Sequence, residues 1–171
     1  MTITAENHFR DIQAALGCIS DKDINEAATR ILRAHREGRP VLLCGNGGSA
    51  ATAIHFASDL RSLGIQAWDL LSPSKLTQLG NDAGFSSAFS HQAQQAPDAL
   101  VIAFSCSGTS ENIERLFYET RDVILFTSTR LNREYKRGLI VCVASDDYEV
   151  IEDVHLSISH ALKKELKVRL T

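Results

Sequence analysis

Twice in 171 residues, a short apolar run passes directly into a loop of glycine and small hydroxyl residues that opens a helix-like stretch. The runs are Pro40-Val41-Leu42-Leu43-Cys44 and Ala99 to Phe104. Their loops are Cys44-Gly45-Asn46-Gly47-Gly48-Ser49 and Ser105-Cys106-Ser107-Gly108-Thr109-Ser110. Continuous apolar runs of this length suit central strands of a parallel sheet, which are buried on both faces. Each strand–loop–helix step leaves free backbone N–H groups at a helix start. Glycine lets an anion approach them closely, and the hydroxyls add donors. The double occurrence implies a cradle for a small phosphorylated molecule.

The rest of the chain alternates helical and strand-like stretches, with no linker, repeat or low-complexity segment. This pattern predicts one α/β domain over residues 1–171. Helical spacing over Ala5 to Cys18 and Asp21 to Glu37, with Ser20 or Asp21 as cap and Gly38 as stop, predicts an antiparallel helical hairpin in residues 1–38. Its apolar positions, Phe9, Ile12, Leu16, Ile24, Ala27, Ile31 and Leu32, exceed what an accessory helix needs, so part of this set is expected to bury against another subunit. Residues 39–171 form the α/β core. A helix runs from Ser49 to about Leu63, and further strands are read at Gln66 to Leu71, Val123 to Phe126 and Leu139 to Val143. Five strands with helical connections make a right-handed, doubly wound parallel sheet of flavodoxin-like form. Ligands of such sheets bind beyond the carboxyl ends of the strands, where both loops lie.

Composition narrows the partners. A formal charge of −3 with no basic stripe argues against nucleic acid. The Lys163, Lys164, Lys167 and Arg169 tail, interleaved with Glu165 and leucines, reads as an amphipathic helix end with cations near its C-terminus. No apolar run approaches the ~20 residues needed to cross a bilayer. Cys18, Cys44, Cys106 and Cys142 lack metal-finger spacing, and Met1-Thr2-Ile3-Thr4 lacks the start of a secretory leader, so a cytoplasmic protein with reduced thiols is expected. The first loop is neither GxGxxG in full nor GxxxxGK[ST], which removes the dinucleotide and P-loop readings. Serine and threonine donors without a fixed cation favour a phosphosugar.

These residues resemble the sugar isomerase (SIS) domain superfamily and, within it, the phosphoheptose isomerases. The resemblance spans almost the whole chain. It rests on Gly45-Asn46-Gly47-Gly48-Ser49 with His55-Phe56-Ala57 downstream, on Gly80-Asn81-Asp82, on Ser105-Cys106-Ser107-Gly108-Thr109-Ser110, and on Glu152-Asp153-Val154-His155 with His160. The resemblance implies that Ser49, Ser105, Ser107 and Ser110 hold phosphate, that Asn46, Gly47, Asn81, Asp82 and Cys106 line the sugar pocket, and that Glu152 joins the substrate-binding set. It also implies a homotetramer whose sites draw on neighbouring subunits.

His55 and Asp59 stand i, i+4 on the helix opened by the first loop, on one face. Glu152 and His160 are eight residues apart, about 12 Å along a helix axis, so only a third element between them would unite all four groups. By resemblance, His55, Asp59, Glu152 and His160 fall at positions that bind zinc in some family members. The same resemblance makes Asp59 the base and His160 the acid of an aldose–ketose isomerisation through an enediol, sedoheptulose 7-phosphate to glycero-manno-heptose 7-phosphate. Two positions depart from the family pattern: Asp59 replaces glutamate, shortening the reach by about 1.5 Å, and Glu152 replaces glutamine. Two function classes follow, the isomerase and a non-catalytic phosphosugar-binding or protein-binding scaffold of the same fold. Without the loops, each of these groups also has a plain reading, as solvated helix pairs or an acidic first turn. His155 is expected in a structural or subunit-contact role, and Trp68 in packing. Cys106 has two readings, a thiol activated at a helix N-terminus and a small loop residue.

Overall fold

The computed structural model describes residues 4–132 and 134–171; of the Met1 to Thr4 start, only Thr4 lies within them. Helix α1 (Ala5–Gly17) begins where the Thr4 hydroxyl accepts from the Asn7 N–H, and α2 (Asp21–Arg36) where the Ser20 hydroxyl accepts from Asp23 at 3.2 Å. Gly38, at φ +68°, turns the chain out of α2 into the sheet, a conformation that costs other residues a Cβ clash. Both helices lean on the C-terminal helix α7 (Tyr148–Leu170), and α2 also packs beneath the sheet.

The apolar set of this hairpin divides. Ala27, Ile31 and Leu32 are buried within the chain, Ile12 and Ile24 are partly covered, and Phe9 and Leu16 remain 67% and 39% exposed. Intramolecular packing therefore takes up the α2 face, and the exposed remainder lies on α1.

Five strands form one sheet in the order β2-β1-β3-β4-β5, all parallel: β1 (Val41–Gly45), β2 (Ala67–Asp69), β3 (Leu100–Phe104), β4 (Asp122–Ser128) and β5 (Leu139–Val143). Alternate side chains serve opposite faces. Val41, Leu43, Leu100, Ile102, Phe104, Ile124 and Phe126 pack under α2, α3 (Gly48–Ser62) and α7. Leu42, Cys44, Val101, Ala103, Val123 and Leu125 pack on the face that carries α5 (Ala88–Ala93) and α6 (Glu111–Glu119). The remaining helix, α4 (Pro73–Asp82), precedes a 3-10 turn at Phe85–Ser87.

The chain passes from β1 to β2 on one side and then crosses to β3 on the other. The strand order therefore reverses between β1 and β3, which places the ligand crevice of a doubly wound sheet at their carboxyl ends.

Three expectations need correction. The alternating pattern implies helical connections throughout, yet the described residues between β4 and β5 contain no helix. The outer face of β5 is thinly covered as a result, and Cys142 is exposed there. Strand β2 is three residues long rather than six, because the Asp69 carboxylate accepts from the Leu71 N–H at 3.2 Å and bends the chain out of the ladder. Trp68 lies on this short edge strand at 56% exposure, with the Arg61 guanidinium 5.9 Å from its ring, rather than in the core.

Candidate active site

Gly45 and Phe104 are register partners, so the two glycine–serine loops leave the sheet side by side. Glycine at position 45 is required by space: a Cβ there would stand 2.6 Å from the Ser49 carbonyl oxygen and 3.0 Å from that of Phe104. Gly47 (φ +57°) and Gly108 (φ +68°) are required by conformation. The first loop ends in α3 with Ser49 buried on its first turn, and the second ends at Ser110, the cap residue of α6.

The second loop is knit by its own hydroxyls. Ser105 Oγ accepts from the Gly108 N–H at 3.1 Å, and Ser107 Oγ accepts from the Thr109 N–H at 3.3 Å. Ser128 Oγ donates to the Cys106 carbonyl at 2.7 Å, anchoring the loop to β4. A hydroxyl that accepts from the backbone keeps its own proton to donate, so the Ser105 and Ser107 hydroxyls remain donors for an anion.

The two loops meet at two points. Ser49 Oγ and Cys106 Sγ stand 4.0 Å apart. Asn46 and Asn112 exchange a reciprocal amide pair, at 3.0 and 2.9 Å. Asn112 was missed in the sequence, since it lies one residue into α6 and belongs to neither glycine–serine string. Burial pushes the Cys106 thiol above its ordinary value; the Glu152 carboxylate adds to this, and Ser49 and Arg130 oppose it. This shift runs against the activated-thiol reading, and Cys106 stands where the two loops meet. Asn81 and Asp82 are exposed at the end of α4, joined to each other by a bond from Asn81 Nδ2 to Asp82 Oδ1 at 3.0 Å rather than to either loop.

A second cluster sits where α3 crosses α7. His55 Nε2 and His160 Nε2 are 2.9 Å apart with the rings edge-on, and His55 Nε2 is 3.5 Å from Asp59 Oδ2. Asp59 is buried, at 8% exposure. Its Oδ1 accepts from Lys163 Nζ at 2.5 Å, while Oδ2 is buried with no hydrogen-bond partner. One candidate ligand atom from each of His55, Asp59 and His160 lies within 4.8 Å of the others, so the three form a metal-capable set. These are nitrogen and oxygen donors of the kinds zinc accepts.

Glu152 is not part of that set. Its carboxylate lies against Gly48 at the start of α3, where a Cβ would run into Glu152 Oε2. It shares with His55 and His160 a cleft of about 420 Å³, lined also by Gly48, Thr52 and Leu156. Lys163, read in the sequence as a cation of the helix tail, is the residue that meets Asp59 instead. It stands three residues beyond His160, on the same face of α7.

His155 is fully buried beside the rings of Phe104 and Phe126, as its structural reading expected. Its Nε2–H donates to the Thr127 carbonyl at 3.2 Å, and Nδ1 has no partner. Burial holds its pKa down to about 4, with the Thr127 bond opposing, so it is a neutral core residue at physiological pH. Among the described residues, no helix is long and apolar enough to cross a membrane.

The family model for the SIS domain matches residues 7–123. A phosphoheptose isomerase from Trichlorobacter lovleyi is 31% identical over 153 residues, covering 81% of this chain and 78% of that protein. Two solved structures superimpose along nearly their whole length. The phosphoheptose isomerase of Neisseria gonorrhoeae has a TM-score of 0.84 at 26% identity, covering 95% of this chain and 94% of that one. That of Francisella tularensis has a TM-score of 0.83 at 27% identity, with the same coverage. The crevice between β1 and β3, the paired glycine–serine loops and these relatives together place the chain in the SIS-domain proteins: it is an isomerase belonging to the phosphoheptose isomerase family.

Proposed function

We propose that the enzyme interconverts sedoheptulose 7-phosphate and glycero-manno-heptose 7-phosphate through an enediol. The observation that carries this reading is the unpartnered Asp59 Oδ2, buried beside two imidazoles on the helix that leaves the first loop. An aldose–ketose isomerisation needs a base for a carbon-bound proton, an acid or electrophile at the carbonyl, and limited access of water to the intermediate.

Ser49, Ser105, Ser107 and Ser110, with the free N–H groups of the loops, hold the phosphate. They act through neutral donors aimed at a dianion, a strong class of hydrogen bond. Asn46 is held by Asn112 and faces the sugar as a fixed wall. With its other oxygen tied to Lys163, Asp59 presents Oδ2 to take the carbon proton, and His160 moves the proton at the carbonyl oxygen. His55 steadies His160 through the 2.9 Å contact between their Nε2 atoms. Glu152, on the wall of the same cleft, meets the sugar hydroxyls.

His55, Asp59 and His160 would hold zinc in a form of the enzyme distinct from the one in which Asp59 Oδ2 is the base, because Lys163 leaves that oxygen alone free for either task. When bound, the ion polarises the substrate carbonyl. The exposed Phe9 and Leu16, seven residues apart on α1, support assembly into a homotetramer through the N-terminal helices.

The test is incubation of the purified chain with sedoheptulose 7-phosphate, with and without added zinc, followed by proton NMR in heavy water. Conversion accompanied by deuterium entry at the carbon next to the carbonyl is expected. Binding without conversion or exchange under either condition would instead support the non-catalytic scaffold.

A further inference from the structure

We propose that Lys163 is a resident cation of the Asp59 site: it occupies one carboxylate oxygen and so weakens the binding of a divalent metal to His55, Asp59 and His160. The inference rests on the donor set used in the proposed function, but its readout is metal affinity and does not depend on turnover.

The first support is geometric. Asp59 is the only anionic member of the three-residue set, and its Oδ1 lies 2.5 Å from Lys163 Nζ. A metal ion therefore has only Oδ2 of this carboxylate available, the oxygen that accepts no hydrogen bond and faces His55 Nε2 at 3.5 Å.

The second support is electrostatic. The Asp59 side chain is only 11% exposed and the Lys163 side chain 37% exposed, so the two charges meet where water screens them incompletely. An ammonium bound to one oxygen cancels much of the attraction that the carboxylate offers a dication, and it repels the dication directly across a few ångströms. Both effects have the same sign.

The third support comes from the placement of Glu152. Its carboxylate lies over Gly48 and outside the three-residue set, so no second acid of the set offsets the Lys163 charge. The one carboxylate of the set is already paired with an ammonium, so it offers a cation no uncompensated negative charge. The ammonium at the same time holds Asp59 in a single orientation, so Lys163 is a positioning residue for the carboxylate as well as a competitor for it.

The experiment is a calorimetric zinc titration of the full chain and of Lys163→Met, Lys163→Arg and His160→Ala, with His160→Ala reporting zinc bound elsewhere on the chain. Lys163→Met is expected to tighten zinc binding by roughly tenfold or more, and Lys163→Arg, which keeps the charge, to leave it within about threefold of the parent. A melting curve accompanies each titration. Without zinc, Lys163→Met should melt below the parent because a buried carboxylate loses its partner, and it should gain more from zinc than the parent does. If Lys163→Met does not fold, Lys163→Gln replaces it with the same expectation. Zinc affinity that rises less than threefold when the charge is removed, or that rises equally in the arginine variant, overturns the proposal. A chain that fails to isomerise sugar phosphates but shows the zinc response would remove the proposed reaction and leave this inference standing.

Discussion

The glycine–serine loops open α3 and α6, and the α3–α7 cluster sits further along α3, yet the two regions are built differently. The loops take their shape from the backbone: a carbonyl 2.6 Å from where a Gly45 side chain would begin, two glycines at positive φ, and serine hydroxyls closing turns on neighbouring N–H groups. The cluster takes its shape from four side chains on two helices, with Asp59 and Lys163 separated by 104 residues of sequence. A backbone-built site tolerates small changes nearby, because its shape is set by the sheet and helix framework. A side chain-built site changes when one methylene is added or lost. On the proposed function, phosphate recognition and turnover are therefore separable properties, carried by different regions.

The largest effect expected on the loop side is in substrate affinity. Replacing Ser49 and Ser105 together by alanine removes two hydroxyl donors to a dianion, each contributing roughly 1.5–3 kcal/mol. Steady-state kinetics should then show KM raised by about 100-fold or more with kcat changed little. A fall in kcat of the same size with KM preserved would break the division between the regions.

A smaller effect separates two neighbouring glycines. Gly45→Ala drives a Cβ into backbone atoms that cannot rotate away, and should cost about 1–3 kcal/mol of stability in denaturant unfolding. Gly48→Ala meets only the carboxylate end of Glu152, which can swing aside, so its cost should stay below about 1 kcal/mol. Equal costs would mean that the first loop is softer than its contacts indicate.

The smallest effect concerns the core beneath both regions. His155 is held neutral with a pKa of about 4 in the folded chain, below its unfolded value near 6.5, so the unfolded state binds the proton first as pH falls. The stability it contributes is fully present above about pH 6.5 and is lost as pH falls toward 4, amounting to about 1.4 kcal/mol between pH 7.5 and 5.5. His155→Phe should remove that part of the slope in denaturant unfolding at the two pH values. An unchanged slope would assign the acid sensitivity to other groups.

The same contrast explains what could be read from the sequence. Strands β1, β3 and β5, the N-terminal helices and both loops were legible because each is a local pattern, apolar run followed by glycine and a helix cap within a few residues. His55 and Asp59 were legible as an i, i+4 pair for the same reason. Lys163 was not, because its spacing on α7 fits the cationic tail of an amphipathic helix equally well, and only the packing of α3 on α7 turns it toward Asp59. Asn112 was hidden by its position one step inside α6. The separation of Glu152 from His160 was visible as about 12 Å of helix axis, but which of the two would join Asp59 depended on the crossing of α3 and α7. The absence of a helix among the described residues between β4 and β5 and the early end of β2 were also hidden, the second set by a single Asp69 side-chain bond.

The central claim is that binding belongs to the loops and turnover to Asp59, and the variant Asp59→Asn tests it most directly. The variant keeps the size of the side chain and removes the base. Calorimetry with sedoheptulose 7-phosphate should give a dissociation constant within about threefold of the parent, while conversion measured on the same preparation falls by about 100-fold or more. Conversion retained within tenfold of the parent, or affinity lost together with conversion, would contradict the account.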